Sequence, residues 1–118
     1  VLVVEDDAAV RDLAVRVLES HGYHVLHAGC GPDALLLSER YDGRIDLLLT
    51  DVVMPHMNGR KLSEEFLAQR PGTPVLYMSG YADSNILRHG NLPPGMAFLS
   101  KPFAVEGLLQ KVRRLLEH

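Results

Sequence analysis

Short apolar runs alternate with stretches of helical period along this chain. The runs fall at residues 1–4, 23–28, 46–50, 74–78 and 96–99. They are close to continuous in apolar character, as strands buried on both faces require. Between them, Val10, Leu13, Ala14, Val17 and Leu18 form one helical stripe, and Val105, Leu108, Leu109, Val112, Leu115 and Leu116 form another. Residues 35–38 and 62–67 supply two further helices, less cleanly patterned. Gly22 marks a helix stop, and Gly31-Pro32-Asp33 a helix start. Pro71-Gly72 with Pro74 separates the third helix from the fourth strand. Residues 83–89 predict a short helix that Asn91-Leu92-Pro93-Pro94-Gly95 cannot continue. Strands alternating with helices predict an α/β protein, a parallel sheet covered on both faces.

Composition adds limits. The 118 residues fit one domain, 1–118, large enough for a real core. A net charge of −3 and the lack of a basic block argue against direct nucleic-acid contact. Lys111, Arg113 and Arg114 read as the solvated face and cation-rich end of the last helix. Cys30 is the only cysteine, so neither an intramolecular disulfide nor a thiolate metal cluster can form, and a small buried or half-buried packing role is expected of it. That fits a reducing, cytoplasmic setting. No apolar run approaches the ~20 residues needed to span a bilayer, so membrane insertion is not expected. The chain opens directly on a strand, as a domain cut from something longer would. His24 and His27, read as strand residues an odd number of positions apart, face opposite sides and cannot share a metal.

In parallel α/β sheets the functional crevice lies at the carboxyl ends of the strands. Glu5-Asp6-Asp7 follows the first run, Asp51 the third, Ser79-Gly80 the fourth and Ser100-Lys101-Pro102 the fifth. Taken singly, Asp7 is a helix cap, Ser79 a turn residue and Lys101 a surface charge. Taken together, they converge on one rim. Two carboxylates ~4 Å apart repel by ~4 kcal/mol at an effective dielectric of 20, so such a cluster calls for a cation or a retained proton. An all-oxygen site suits Mg²⁺, with Mn²⁺ as a substitute. A hydroxyl and an ammonium opposite would cradle a phosphoryl group, and Asp51 is the natural nucleophile.

The combination Val3-Val4-Glu5-Asp6-Asp7, Asp51-Val52-Val53-Met54-Pro55 with Asn58-Gly59, Met78-Ser79-Gly80 and Lys101-Pro102-Phe103 resembles the receiver domain of two-component response regulators. The resemblance implies a flavodoxin-like, doubly wound five-stranded sheet of order 2-1-3-4-5. It implies Asp51 as phospho-acceptor, with Mg²⁺ held by Asp6 directly, Glu5 through water, Asp51 and the backbone carbonyl of Val53. Ser79 matches the switch hydroxyl, Lys101 the phosphoryl-pairing lysine and Phe98 the aromatic switch position. Tyr77-Met78-Ser79-Gly80-Tyr81-Ala82-Asp83 and Leu92-Pro93-Pro94-Gly95 look like receivers of hybrid sensor histidine kinases. The implied partner is a histidine kinase or its phosphotransfer domain, in the cytoplasm or on the cytoplasmic part of a membrane-bound sensor. The sequence does not fix the oligomeric state, and the last two helices are the surface to watch for a homodimer. Val53 and Tyr81, each two positions beyond a site residue, carry no group to orient water, which predicts slow hydrolysis of the phosphorylated form.

Other classes fit less well. A haloacid dehalogenase-type phosphohydrolase needs its nucleophile after the first strand, in an Asp-x-Asp pair. A flavodoxin-type flavin module needs hydroxyls and bare N–H groups where Glu5-Asp6-Asp7 would repel a phosphate. A degenerate receiver, acting only as an interaction surface, would not need Asp51, Lys101 and the acid pair together.

Overall fold

The computed structural model describes residues 1–54, 56–79 and 96–117, and only the backbone of Met96. The strands are β1 (Leu2–Val4), β2 (Leu26–Ala28), β3 (Leu48–Asp51), β4 (Val75–Ser79) and β5 (Met96–Ser100). The helices described are α1 (Ala8–Ser20), α2 (Gly31–Arg40), α3 (Gly59–Gln69) and α4 (Val105–Leu116). All strand pairings are parallel, in the order β2-β1-β3-β4-β5. The sequence expectation therefore holds for class, direction and order. The helix expected at 83–89 and the motif residues from Gly80 to Gly95 lie outside the described residues.

Strand alternation splits the core into two layers. Leu2, Val4, Leu48, Val75 and Tyr77 pack with Ala34, Leu62 and Phe66 of α2 and α3. Val3, Leu49, Leu76, Met78 and Leu99 pack with Ala14, Leu18, Leu108 and Val112 of α1 and α4. Neighbouring positions on one strand thus serve opposite layers, as the period-two geometry of a strand dictates. That explains why the runs read as continuously apolar.

Helix ends obey local chemistry. The Asp7 carboxylate accepts from the N–H groups of Ala9 and Val10 and caps α1. Gly22, at φ 88°, takes the left-handed turn after α1 that a side chain would resist. Asn58 caps α3 through the Lys61 N–H. Cys30 stands half-buried at the N-cap of α2 and makes no side-chain cap. One expectation is corrected. β2 begins only at Leu26, so His24 precedes the strand, where its ring stacks on Tyr41 with centroids 6.3 Å apart. The strand-parity argument therefore never applied to His24. No described helix is long and apolar enough to cross a membrane.

Candidate functional site

Parallel pairing brings the carboxyl ends of β1, β3, β4 and β5 to one rim. Asp51 is the last residue of β3, Ser79 the last of β4, and Lys101 comes just after the last of β5. Glu5 comes directly after β1, where its backbone N–H still pairs with the Ala28 carbonyl. The Lys101 N–H likewise donates to the Ser79 carbonyl at 2.8 Å, and the Lys101–Pro102 peptide is cis. The sheet ladder thus runs on into the site and sets its spacing.

Glu5 is 1% exposed and Asp51 5%, while Asp6 stands exposed beside them. Between the two buried acids lies the Lys101 ammonium, 2.7 Å from Glu5 Oε2 and 2.7 Å from Asp51 Oδ2. The Lys101–Asp51 contact has hydrogen-bond geometry. Burial pushes the Glu5 carboxyl up to about 7, and repulsion from Asp51 adds to this. The Lys101 ammonium and the Asp7 N–H, which donates to Glu5 Oε1 at 3.1 Å, pull the other way. Burial alone would lower the Lys101 pKa, yet its bonds to Asp51 and Glu5 hold it above the usual lysine value.

The acids outnumber their counter-charge. Oxygens of Glu5, Asp6 and Asp51 lie within 4.8 Å of one another, and Lys101 is the cation paired with them among the described residues. Carboxylates crowded this closely repel by several kcal/mol even at an effective dielectric of about 20. A divalent cation relieves that repulsion, and an all-oxygen donor set favours a hard ion. The residues fit Mg²⁺.

Val53, Ser79 and Phe98 are the remaining sequence candidates among the described residues. Val53 stands after β3 in the turn toward α3, its side chain about half in solvent. The Ser79 hydroxyl is fully buried at the end of β4 and finds no hydrogen-bond partner among the described residues. Phe98 is half-buried, beside Tyr77 in the β4–β5 register and against the α2–α3 layer. Tyr81 lies outside the described residues.

Three contacts are not legible in the sequence. The bond from Lys101 to Glu5 is one, since the motif pattern assigns Glu5 to the metal alone. The second is Arg11, whose Nη1 donates to the Glu5 carbonyl at 2.9 Å and braces the β1 exit. Its position one helical turn into α1 is the only signal. The third is Thr50, whose hydroxyl donates to the Asp51 carbonyl at 3.0 Å.

Comparison with known proteins agrees with this geometry. The chain is 39% identical over 117 residues to the sensor kinase CckA of Brucella abortus, covering 99% of this chain but 12% of that protein. It is 32% identical to the response regulator receiver protein CpdR of the same species, covering 98% of this chain and 95% of CpdR. It spans about half the length of the transcriptional regulatory protein YbdJ of Bacillus subtilis and of the response regulator MprA of Mycobacterium leprae. The crystal structure of the receiver domain of the hybrid histidine kinase CckA superposes with a TM-score of 0.83 at 35% identity, covering 98% and 96% of the two chains. The chemotaxis protein CheY4 of Vibrio cholerae superposes at 0.86 with 29% identity, covering 98% and 96%. The response regulator receiver domain family matches residues 1–113, and the chain belongs to that family.

Proposed function

We propose that Asp51 accepts a phosphoryl group from the phosphohistidine of a histidine kinase or its phosphotransfer domain. The observation that carries this is the Lys101 ammonium, held 2.7 Å from the Asp51 carboxylate on a rim that also gathers Glu5, Asp6 and the buried Ser79 hydroxyl. An Asp51 oxygen attacks phosphorus in line. The phosphorus–nitrogen bond breaks, the imidazole leaves with the electron pair and takes up a proton, and Asp51 becomes an acyl phosphate. Lys101 then pairs with a phosphoryl oxygen. The Ser79 hydroxyl donates to another.

Asp6, Asp51 and the Val53 carbonyl would hold Mg²⁺, with Glu5 reaching it through water. When bound, the ion neutralises charge building on the phosphoryl oxygens. An apolar hollow lined by Val10, Leu13, Pro102 and Phe103 adjoins Lys101 and gives a protein donor a dry contact beside the acceptor. Phosphorylation would draw Ser79 to the phosphoryl group and repack Phe98, biasing the surface of the last helices. The likeness to CckA supports reading this domain, 1–118, as the receiver of a hybrid kinase.

Incubation with Mg²⁺ and acetyl phosphate tests the reading. Intact mass should show one added phosphoryl group, labile to hydroxylamine and absent in Asp51→Asn. Stable phosphorylation on Ser79 or a histidine would overturn it.

A further inference from the structure

The peptide on which Asp51 sits is held from several sides. Its carbonyl oxygen accepts from Thr50 Oγ1 at 3.0 Å, and the next N–H, of Val52, donates to the Met78 carbonyl at 3.0 Å. The Val52 carbonyl accepts from the Gly59 N–H at 2.7 Å. Thr50 is fully buried, so water cannot stand in for its hydroxyl. Gly59 closes the remaining side. A Cβ there would overlap the Asp51 carbonyl oxygen, and would stand 3.0 Å from its carbon and 3.1 Å from Val52 Cα. These are backbone atoms and cannot rotate aside. Gly59 is the first residue of α3 and lies outside the left-handed region, so glycine is there for room rather than for conformational freedom.

We propose that Thr50 and Gly59 are positioning residues for phosphoryl acceptance. Together they lock the Asp51–Val52 peptide plane. That plane sets the direction of the Asp51 Cα–Cβ bond, and so where the carboxylate meets Lys101. It also sets the start of the turn that carries the Val53 carbonyl. A tilt of the peptide moves both at once, and displacements of about 1 Å at a reacting group cost about a hundredfold in rate. The inference rests on the reading of Asp51 as the acceptor. If Thr50 merely satisfied its own hydroxyl, valine in its place would leave the rate unchanged.

The test uses Thr50→Val, Thr50→Ser and Gly59→Ala, with initial rates of phosphorylation by acetyl phosphate at saturating Mg²⁺. Melting midpoints and Mg²⁺ titrations accompany the rates. Thr50→Val, which keeps the shape and loses the donor, should slow phosphorylation about tenfold, and Thr50→Ser should restore it. Gly59→Ala should slow it about a hundredfold. Should Gly59→Ala fail to fold, the Thr50 pair decides. Parent rate in Thr50→Val, or a serine variant as slow as the valine one, would overturn the proposal. A parent chain that takes no phosphoryl group on Asp51 would remove the acceptor reading and this inference with it. A phosphorylated parent with indifferent variants would remove this inference alone.

Discussion

Two cations reach across the fold at opposite ends of the sheet, and they are used in opposite ways. At the amino end, Arg70 comes after α3 and binds the tail of α2. Its Nε donates to Ser38 Oγ, its Nη2 to the Ser38 and Tyr41 carbonyls, and its Nη1 to the Gly43 carbonyl, all between 2.8 and 3.0 Å. Every partner is neutral. At the carboxyl end, Lys101 sits between two buried carboxylates. The guanidinium fork suits several divergent oxygens at fixed angles, whereas an ammonium is a point charge on a flexible stem. A clamp that must never let go uses the first. A counter-charge that, on the proposed function, changes partner when a phosphoryl group arrives suits the second.

The sharpest break of the comparison is Lys101→Ala. Phosphorylation from acetyl phosphate should slow about a hundredfold, the scale of losing one charge stabiliser at a reacting oxygen. Mg²⁺ affinity should not fall, because the competing ammonium has gone. A phosphorylation time course and a metal titration on one preparation check both, and weaker Mg²⁺ binding would mean that Lys101 organises the acids rather than neutralises them.

Arg70→Ala should do the reverse. It strands helix-end carbonyls and should cost about 2 kcal/mol of stability in urea unfolding, since bonds from charged donors are worth about 1.5–3 kcal/mol each before solvent replaces some of them. The phosphorylation rate should stay at the parent value. A slowed rate in a folded variant would tie the two ends of the sheet together.

The buried acid gives the carboxyl end a pH signature of its own. The folded Glu5 carboxyl titrates at about 7, against an ordinary 4.5 when unfolded. Below about 4.5 it is protonated in both states, and its contribution is fully present. As pH rises through 7, the unfolded chain has released this proton before the folded one, so stability is lost across that window. Without Mg²⁺ the unfolding midpoint should therefore fall between pH 4.5 and pH 7, and Glu5→Gln should flatten that fall. Added Mg²⁺ should oppose it, because the ion takes the proton's place.

The smallest effect separates place from role. Asp7 stands in the acidic run, yet its carboxylate is occupied with the N–H groups of Ala9 and Val10. Asp7→Ala should cost about 1 kcal/mol of stability, as a lost N-cap does, and leave phosphorylation near the parent rate. A large loss of rate at unchanged stability would put Asp7 in the chemistry after all.

Local order and pattern were enough to place Glu5, Asp51, Ser79 and Lys101 on one rim. Continuous apolar runs between amphipathic helices allow only a parallel sheet covered on both faces, and such a sheet carries the residues after its strands to a single edge. Asp7 as a cap, Gly22 as a stop and the cationic end of α4 were equally local, so they too could be read from residue type and position. Pairing was another matter. That Lys101 would bridge Glu5 as well as Asp51, that Arg11 would brace the Glu5 carbonyl, and that Gly59 would leave room for the Asp51 peptide depend on distances between different elements that only the folded backbone sets. The amino-acid sequence by itself determined which groups meet at the rim, because secondary-structure period and parallel order are properties of the chain. Only the tertiary structure decided which of them touch, because contacts at 2.7 Å depend on ladder register and backbone approach, to which residue pattern is blind.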